Sequence, residues 1–388
     1  MRAITIHPIS VRLSSLHPPA LPDAGERLLM RAALLEGEPA RAAWHVWRRT
    51  GGRIDGVGQP SFRLLLLVYR NLESAGVEDP DLPVLKGVYR HAFVCNQRLI
   101  ASVGPSLESL RAEGIPTMVL NGAAVGALHY RDAGLRPMDD IDVLVRPEDA
   151  ERALAVLGAR GWSALSPIDV RRVMRSQHAL PLENADGGKI DLHWRVLPES
   201  VRDDGVWAAA VPTVLGTATT LAPEPTDQLM HTCAHGVTFG AAALTWIPDA
   251  VAILSSADVH IDWPRLVESV AERGVSLRTA TFLKLLRDLL GAPIPRHVLA
   301  ELDRLPSGPR ERLLLELARR PVPGGNWVVM WDRYRRRVAA GEDGYAYHDF
   351  LQYVADAYPL PSRTAIARRL ARRAISLTRP SDGHAPSL

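Results

Sequence analysis

Cysteine, lysine and long apolar runs are all scarce in this chain of 388 residues. The two cysteines, Cys95 and Cys233, match no CxxC or paired framework, which excludes a disulfide-stapled fold and is typical of a reducing cytosol. The longest apolar run, Leu64 to Tyr69, is far shorter than the ~18 residues that a membrane span needs. The segment from Met1 to Ser15 lacks the apolar core of a signal peptide. We therefore predict a soluble, cytoplasmic protein.

A large excess of one sign of charge is also lacking, because 46 basic and 43 acidic residues give a net charge of +3. Lysine occurs only at Lys86, Lys189 and Lys284, so arginine supplies nearly all the positive charge. The planar guanidinium suits phosphate and carboxylate, although a GC-rich coding sequence would produce the same bias. With 47% hydrophobic and 23% charged residues, the composition is that of a globular protein. At ~150 residues per domain, the length predicts two or three domains.

Apolar periodicity divides the chain into helical and mixed regions. The chain contains no P-loop, no GxSxG element and no dinucleotide-binding glycine fingerprint. Apolar residues recur at helical intervals in both ends of the chain, and short strands are predicted between them. The predicted parts are an N-terminal helical region (1–105), a mixed core (106–222), a helical domain (223–320) and a basic helical C-terminal segment (321–388).

The mixed core shows alternating strands and helices bounded by turn residues. Asn121-Gly122 opens a small-residue helix, and Asp186-Gly187-Gly188 is a hairpin signal. Pro147 stands where another helix begins. The predicted strands are 117–120, 140–145, 178–183 and 189–196, and the predicted helices are 123–130 and 147–159.

Three aspartates carry the strongest chemical signal. Asp140 and Asp142 are two residues apart on a predicted strand, so their side chains project from the same face, about 7 Å apart at Cα. Two like charges this close favour a bound cation, and hard divalent ions such as Mg²⁺ prefer carboxylate oxygens. Asp191 lies on another predicted strand, between Ile190 and Leu192. Three carboxylates on neighbouring strands can hold two metal ions about 4 Å apart, as in phosphoryl transfer. The alternative for Asp140 and Asp142 is a pair of turn or solvent-facing acids at the start of a strand.

Three sequence blocks around these aspartates resemble one known family. The blocks are Leu120–Ala124, Leu135–Val145 and Ile190–Arg195. Over about residues 85–290 the chain is similar to the DNA polymerase β-type nucleotidyltransferase superfamily, and within it to bacterial proteins described as uncharacterised nucleotidyltransferases. The resemblance implies an α+β fold, with a polymerase β-like core of a small mixed sheet and helices, flanked by helical N- and C-terminal regions. It also implies transfer of a nucleoside monophosphate from an NTP to an acceptor, with release of pyrophosphate.

The same resemblance implies roles for single residues. The catalytic and metal-binding carboxylates would be Asp140, Asp142 and Asp191, with Mg²⁺ (or Mn²⁺) as the cofactor. The nucleotide-binding residues would be Asn121, Gly122, Ala123, Arg136, His178 and His193. The superfamily usually has serine where this chain has Ala123, and this branch commonly has lysine where the chain has Asn121. Phosphate binding is therefore expected to be weaker, or to depend on Arg131 or Arg136.

Several of these residues can have a structural role instead of a functional one. Arg136 can be a surface charge, His178 a satisfied strand histidine, and His193 a group that orients a carboxylate. His231 and His235 have the i, i+4 spacing of a zinc site. Because no glutamate completes an HExxH pattern there, helix packing or a cleft wall is favoured over zinc.

The acceptor is the part of the reaction that the sequence does not identify. ATP is the default donor, and a hydroxyl or phosphate on a small molecule, peptide or protein is favoured over a long nucleic acid, because binding a nucleic-acid backbone depends on neutralising many phosphates. Two other functions remain open: a toxin-like transferase acting on tRNA, and a nucleotide-binding pseudoenzyme that serves as a regulatory or scaffold subunit. The basic amphipathic segment Arg363 to Arg379 is predicted to touch RNA, an acidic acceptor or a membrane surface, or else to dock with its basic face in solvent.

Overall fold

The computed structural model describes residues 22–164, 169–200, 202–238, 243–305, 307, 309–319, 325–341, 346 and 348–357. Within these ranges helices predominate around one sheet. The helices are α1 Ala24–Leu34, α2 Gly37–Arg49, α3 Gln59–Ser74, α4 Leu82–Ala112, α5 Asn121–Val125, α6 Ala150–Ala159, α7 Val170–Ser176, α8 Asp204–Ala209, α9 Pro225–Thr238, α10 Ala243–Ser255, α11 Trp263–Arg273, α12 Ser276–Leu290, α13 Arg296–Arg304, α14 Pro309–Arg319, α15 Gly325–Ala339 and α16 Phe350–Ala357.

The sheet is mixed, and its strand order is β3-β4-β5-β2-β1-β7-β6. The strands are β1 Met118–Val119, β2 Ile141–Leu144, β3 Ser163–Ala164, β4 Ala179–Glu183, β5 Lys189–His193, β6 Val211–Leu215 and β7 Ala218–Ala222. The pairs β2–β5 and β1–β7 are parallel, and the other neighbouring pairs are antiparallel. The α+β class with a small mixed sheet and flanking helices is therefore confirmed.

Apolar and polar residues alternate along β2 and β5, so the two faces of the sheet differ. Ile141 and Val143 of β2, with Ile190 and Leu192 of β5, join a buried apolar cluster that also contains residues of α4 and α6. Successive strand residues point to opposite faces, so Asp142, Asp191 and His193 project from the other face. That face meets the helical layer, because Leu144 belongs to the same apolar cluster as residues of α9 and α10.

Helices from both ends of the chain build this second layer. α1 begins at a reciprocal cap, in which Asp23 accepts from the backbone N–H of Glu26 at 2.7 Å and Glu26 accepts from that of Asp23 at 2.9 Å. α11 begins with Asp262 accepting from the N–H of Arg265 at 3.0 Å. It ends at Gly274, whose φ of 62° is a left-handed conformation that glycine adopts at little cost. α1, α3 and α9–α13 then share one core.

The structure also departs from the predicted elements. β3 and the β6–β7 hairpin are not among the predicted strands, and the predicted helix at 123–130 continues beyond α5 as a π turn, Gly126–Tyr130. α4 continues through residue 105, where a domain boundary is predicted; the domain bounds stay predictions. The predicted basic helix Arg363–Arg379 lies outside the described residues. No helix in the described ranges combines the length and the apolar composition that crossing a membrane requires.

Candidate active site

Asp142 and Asp191 are placed side by side by the parallel pairing of β2 with β5. The register pairs Asp142 directly with Asp191, and Leu144 with His193. Paired residues of adjacent parallel strands point to the same face, so the two carboxylates share the face that meets the helical layer. Both side chains keep some solvent access, 17% for Asp142 and 28% for Asp191.

His193 lies between these carboxylates. Its Nε2 is 3.0 Å from Oδ1 of Asp142 and 3.5 Å from Oδ2 of Asp191, and the side chain is only 4% exposed. Burial alone would lower the pKa of His193, but the charge of Asp191 and the hydrogen bond to Asp142 raise it to about 10. An imidazolium at this position offsets one of the two negative charges between which it lies.

Asn121 fixes the orientation of Asp142. Its Nδ2 donates to Oδ2 of Asp142 at 2.8 Å from a left-handed backbone conformation, φ 45°, which asparagine tolerates better than most residues. Burial alone would raise the pKa of Asp142, but the hydrogen bonds from His193 and Asn121 and the charge of His193 lower it to about 2. Oδ1 of Asn121 and Oδ1 of Asp191 are buried without a hydrogen-bond partner among the described residues.

Asp140 lies just before β2 and is more exposed than the two paired aspartates. Partial desolvation and the charges of Asp142 and Asp191 raise the pKa of its carboxyl to about 6. Three acids thus act on one another here, as the sequence predicts for a cation site. Their catalytic and metal-binding roles stay predictions.

The donor set suits a divalent cation. One ligand atom each from Asp142, Asp191 and His193 lies within 4.8 Å of the others, and this is the one such group of three or more found within the described ranges. Two carboxylate oxygens and an imidazole nitrogen are common metal donors, and the buried unpaired oxygen of Asp191 fits a ligand role. Asp140 does not belong to the group. Neither His231 nor His235 does, and no zinc site forms around them among the described residues.

Arg136 is not the surface charge that the sequence leaves as an alternative. It is 9% exposed, and its Nη2 bonds Oδ2 of Asp249 at 2.9 Å while Nη1 donates to the carbonyl of Pro137 at 3.1 Å. Burial would lower the pKa of Arg136, but the charge and hydrogen bonds of Asp249 raise it. The guanidinium is occupied by protein partners, and its predicted phosphate contact stays a prediction.

Gly122 and Ala123 are buried in α5, and their nucleotide-binding roles stay predictions. A Cβ on Gly122 would lie 2.7 Å from the guanidinium carbon of Arg136 and 3.1 Å from Cγ of Met138. The glycine is therefore required by close packing against Arg136, whatever its part in nucleotide binding. Arg131 is exposed and bonds Asp258 at 3.5 Å.

Further histidines surround the carboxylates. The ring of His178 meets that of His193 edge-on at 5.3 Å, and burial, with the nearby His193 charge, holds the pKa of His178 well below its usual range. His231 of α9 is buried and bonded to the backbone of Val196, and its Nε2 has no partner among the described residues. The rings of His231 and His235 are 4.5 Å apart. α9 thus covers the carboxylate face of the sheet with neutral imidazoles.

Arg63 of α3 is a further candidate site residue, and no sequence pattern predicts it. It is half-buried and makes no hydrogen bond or ion pair with any described residue. Burial and the charge of Arg136 lower its pKa, while Asp249 and Asp139 act in the opposite direction. The side chain is thus a partly desolvated cation near the turn that leads into β2. No local sequence signal distinguishes it from the other arginines.

Comparison with known proteins identifies the family. The family model described as uncharacterised nucleotidyltransferase matches residues 61–291, more than half of the chain. The chain belongs to this uncharacterised nucleotidyltransferase family, and the resemblance drawn from the three sequence blocks is confirmed. The protein is therefore an enzyme of the nucleotidyltransferase class, which transfers nucleoside monophosphates.

Curated proteins and solved structures add little to this assignment. No curated protein matches the chain. Among solved structures, the solution structure of the antibiotic-resistance factor ANT(2'')-Ia is similar at 16% sequence identity and a TM-score of 0.29. That alignment covers 49% of this chain and 94% of the other.

Proposed function

We propose that the protein transfers a nucleoside monophosphate from an NTP, ATP by default, to a hydroxyl or phosphate on a small molecule, peptide or protein in the cytoplasm. The reaction depends on Mg²⁺ (or Mn²⁺). The observation that carries the proposal is the register pairing of Asp142 with Asp191, on the sheet face that meets the helical layer. The near-neutral net charge of +3 favours such acceptors over a long nucleic acid.

The carboxylates would have two tasks, which are to hold the cation and to accept a proton from the acceptor. Asp142 and Asp191 would hold the cation, and Asp140, just before β2, would contribute the third negative charge. When bound there, a divalent ion would supply the charge neutralisation and orientation that phosphoryl transfer needs. The carboxylate of Asp191, whose side chain is 28% exposed, would accept the proton of the acceptor hydroxyl.

The bond changes follow from this arrangement. The acceptor oxygen forms a bond to the α-phosphorus of the NTP, and the bond from that phosphorus to the bridging oxygen of the β-phosphate breaks. Pyrophosphate leaves with the bonding electrons, and the acceptor proton passes through Asp191 to solvent. Arg63, which has no other partner among the described residues, pairs with the leaving phosphates. Asn121 keeps Asp142 in its binding orientation.

The experiment offers the protein each α-³²P-labelled NTP with Mg²⁺ and a cell extract, and then identifies the labelled product. We expect label transfer and pyrophosphate release to fall by more than about 100-fold in Asp142→Asn and in Asp191→Asn, because removing even a partner of a metal ligand costs up to that much. Asp258→Asn, a change at an exposed carboxylate, should transfer label at the wild-type rate.

Two outcomes would contradict the proposal. Equal transfer by the wild type and the two site variants would remove the carboxylates from the reaction. Calorimetric binding of NTP and Mg²⁺ without pyrophosphate release, whichever acceptor is offered, would identify a pseudoenzyme. A labelled tRNA would instead identify the acceptor as nucleic acid and overturn the proposed acceptor class.

A further inference from the structure

The donor atoms of the carboxylate cluster include one imidazole nitrogen, which changes the ion that the cluster would select. Nε2 of His193 lies 3.0 Å from Oδ1 of Asp142 and 3.5 Å from Oδ2 of Asp191. Metal–donor bonds in proteins are about 2.1 Å long, so adjacent donors around one ion are about 3.0 Å apart in an octahedron and about 3.4 Å apart in a tetrahedron. Nε2 of His193 therefore already lies at the spacing of a neighbouring ligand from one oxygen of each carboxylate.

Hydrogen bonding alone leaves the cluster incompletely satisfied. A single Nε2–H of His193 serves two carboxylates, while Oδ1 of Asp191 and Oδ1 of Asn121 are buried without partners among the described residues. Nδ1 of His193 faces the carbonyl of Arg195 at 3.4 Å. This contact to a backbone carbonyl is the one that typically orients a metal-binding histidine and directs its other nitrogen toward the ion.

We propose that His193 is itself a ligand of the cation, together with Asp142 and Asp191, and that it makes the site prefer Mn²⁺ over Mg²⁺. The proposal rests on the proposed function, which requires a divalent ion at these carboxylates. Mg²⁺ prefers an all-oxygen octahedron and dehydrates reluctantly. Imidazole suits first-row transition ions, so one nitrogen among carboxylate oxygens shifts the preference toward them.

The first test measures coordination directly and needs no variant. Protein grown with [¹⁵N]histidine is loaded with Mn²⁺ and α,β-methylene ATP, which cannot release pyrophosphate, and examined by pulsed electron paramagnetic resonance. We expect modulation from one directly bound imidazole nitrogen that differs between ¹⁴N- and ¹⁵N-histidine protein. His297→Gln serves as the control and should retain this signal, because His297 is an exposed histidine of α13 outside the ligand group.

The second test measures selectivity by calorimetry with each ion. In His193→Asp, which makes the donor set all oxygen, we expect the ratio of Mg²⁺ to Mn²⁺ dissociation constants to fall by about 10- to 100-fold. His297→Gln should leave the ratio unchanged. If the buried His193→Asp change prevents folding, the isotope experiment on the wild-type chain still decides the question.

The possible outcomes distinguish failure of the His193 ligand role from failure of the proposed nucleotidyl transfer. Mn²⁺ binding that is lost in Asp142→Asn, but shows no histidine modulation, would overturn the role of His193 and leave the carboxylate site intact. A histidine signal that persists in His193→Gln would also overturn it. Mn²⁺ binding that is indifferent to both Asp142→Asn and Asp191→Asn would remove the cation site, and with it the proposed function.

Discussion

Arg136, in the loop before β2, forms a buried ion pair with Asp249 of α10, with Nη2 and Oδ2 2.9 Å apart and side-chain exposures of 10% and 2%. The hydroxyl of Tyr130 donates to the second oxygen of Asp249 at 3.2 Å. Asp249 therefore anchors two segments of the mixed core to the helical layer. One of them, the loop with Arg136, leads directly into Asp140 and Asp142. The ion pair therefore also fixes the loop that enters the candidate active site.

Removing Asp249 should destabilise the whole protein. We expect Asp249→Ala to lower the free energy of unfolding by about 3–5 kcal/mol, because it leaves the charge of Arg136 buried and unpaired. Urea denaturation, monitored by tryptophan fluorescence, measures the change in the free energy of unfolding. Asp258→Ala, which removes the exposed partner of Arg131, should leave the midpoint nearly unchanged, since exposed pairs contribute little. Equal effects of the two variants would show that the Arg136 pair contributes no more than a surface contact.

Gly122 should be intolerant of even one methyl group. In Gly122→Ala the new Cβ would lie 2.7 Å from the guanidinium carbon of Arg136, and Asp249 prevents that side chain from moving aside. We expect a loss of about 1–3 kcal/mol in the free energy of unfolding, the usual cost of overpacking. The same denaturation experiment measures it.

Gly158→Ala provides the matched control for the glycine. This residue is also helical, in α6, and its added Cβ would meet nothing within 4 Å. Since alanine is favoured over glycine in helices by about 1 kcal/mol, the control should be neutral or stabilising. If Gly122→Ala were as well tolerated, the packing explanation for this glycine would be wrong.

The sequence carries enough local information to predict part of the sheet. The two-residue spacing of Asp140 and Asp142 and the apolar neighbours of Asp191 predict strand faces, and β2 and β5 are present. The β6–β7 hairpin is not among the predicted strands although Gly216 supplies a turn signal, because Pro212 interrupts the strand pattern. Proline is tolerated at a sheet edge, and β6 is an edge strand.

Contacts between residues distant in sequence could not be predicted in this way. Asp249 is 113 residues from Arg136, and no local pattern marks either residue as the partner of the other. The same holds for the hydrogen bond of Asn121 to Asp142, which gives the amide a role in orienting a carboxylate. Strand pairing and helix packing bring these groups together, and the spacing of residues along one element does not encode that information.

Arg63 should contribute to nucleotide affinity rather than to stability. We expect Arg63→Ala to raise the dissociation constant of an NTP by about 10- to 100-fold, because a hydrogen bond to a charged group contributes about 1.5–3 kcal/mol. Calorimetry with α,β-methylene ATP and Mg²⁺ measures the affinity. The free energy of unfolding should not decrease, because Arg63 has no hydrogen bond or ion pair to lose among the described residues.

Arg90→Ala separates a local effect of Arg63 from a general loss of positive charge. Arg90 is an exposed arginine of α4, and its removal should leave the NTP dissociation constant unchanged. Nucleotide affinity that falls equally in both variants would show a non-specific charge effect. Unaltered affinity in Arg63→Ala would remove this residue from the phosphate site.

Glu199 should make the stability of the protein depend on acid pH. Its Oε1 lies 3.5 Å from Nη2 of Arg278 and 4.0 Å from Nη2 of Arg333. Burial would raise the pKa of Glu199, but the charges of these two arginines lower it to about 2. Because the folded pKa lies below the unfolded value of about 4.3, the carboxylate stabilises the fold above that pH. The stabilisation is lost as the pH falls from there toward 2, by about 1.4 kcal/mol for each pKa unit of difference.

Glu199→Gln should therefore be less stable than the wild type at pH 7, and the difference should shrink as the pH falls below about 4.3, because glutamine has no charge to lose. Urea denaturation at a series of pH values from 7 to 3 measures both curves. Glu78→Gln, at an exposed loop position, should follow the wild-type curve throughout. Parallel curves for the wild type and Glu199→Gln would mean that Glu199 has the same pKa in the folded and unfolded chain, and that the two arginines do not stabilise its charge.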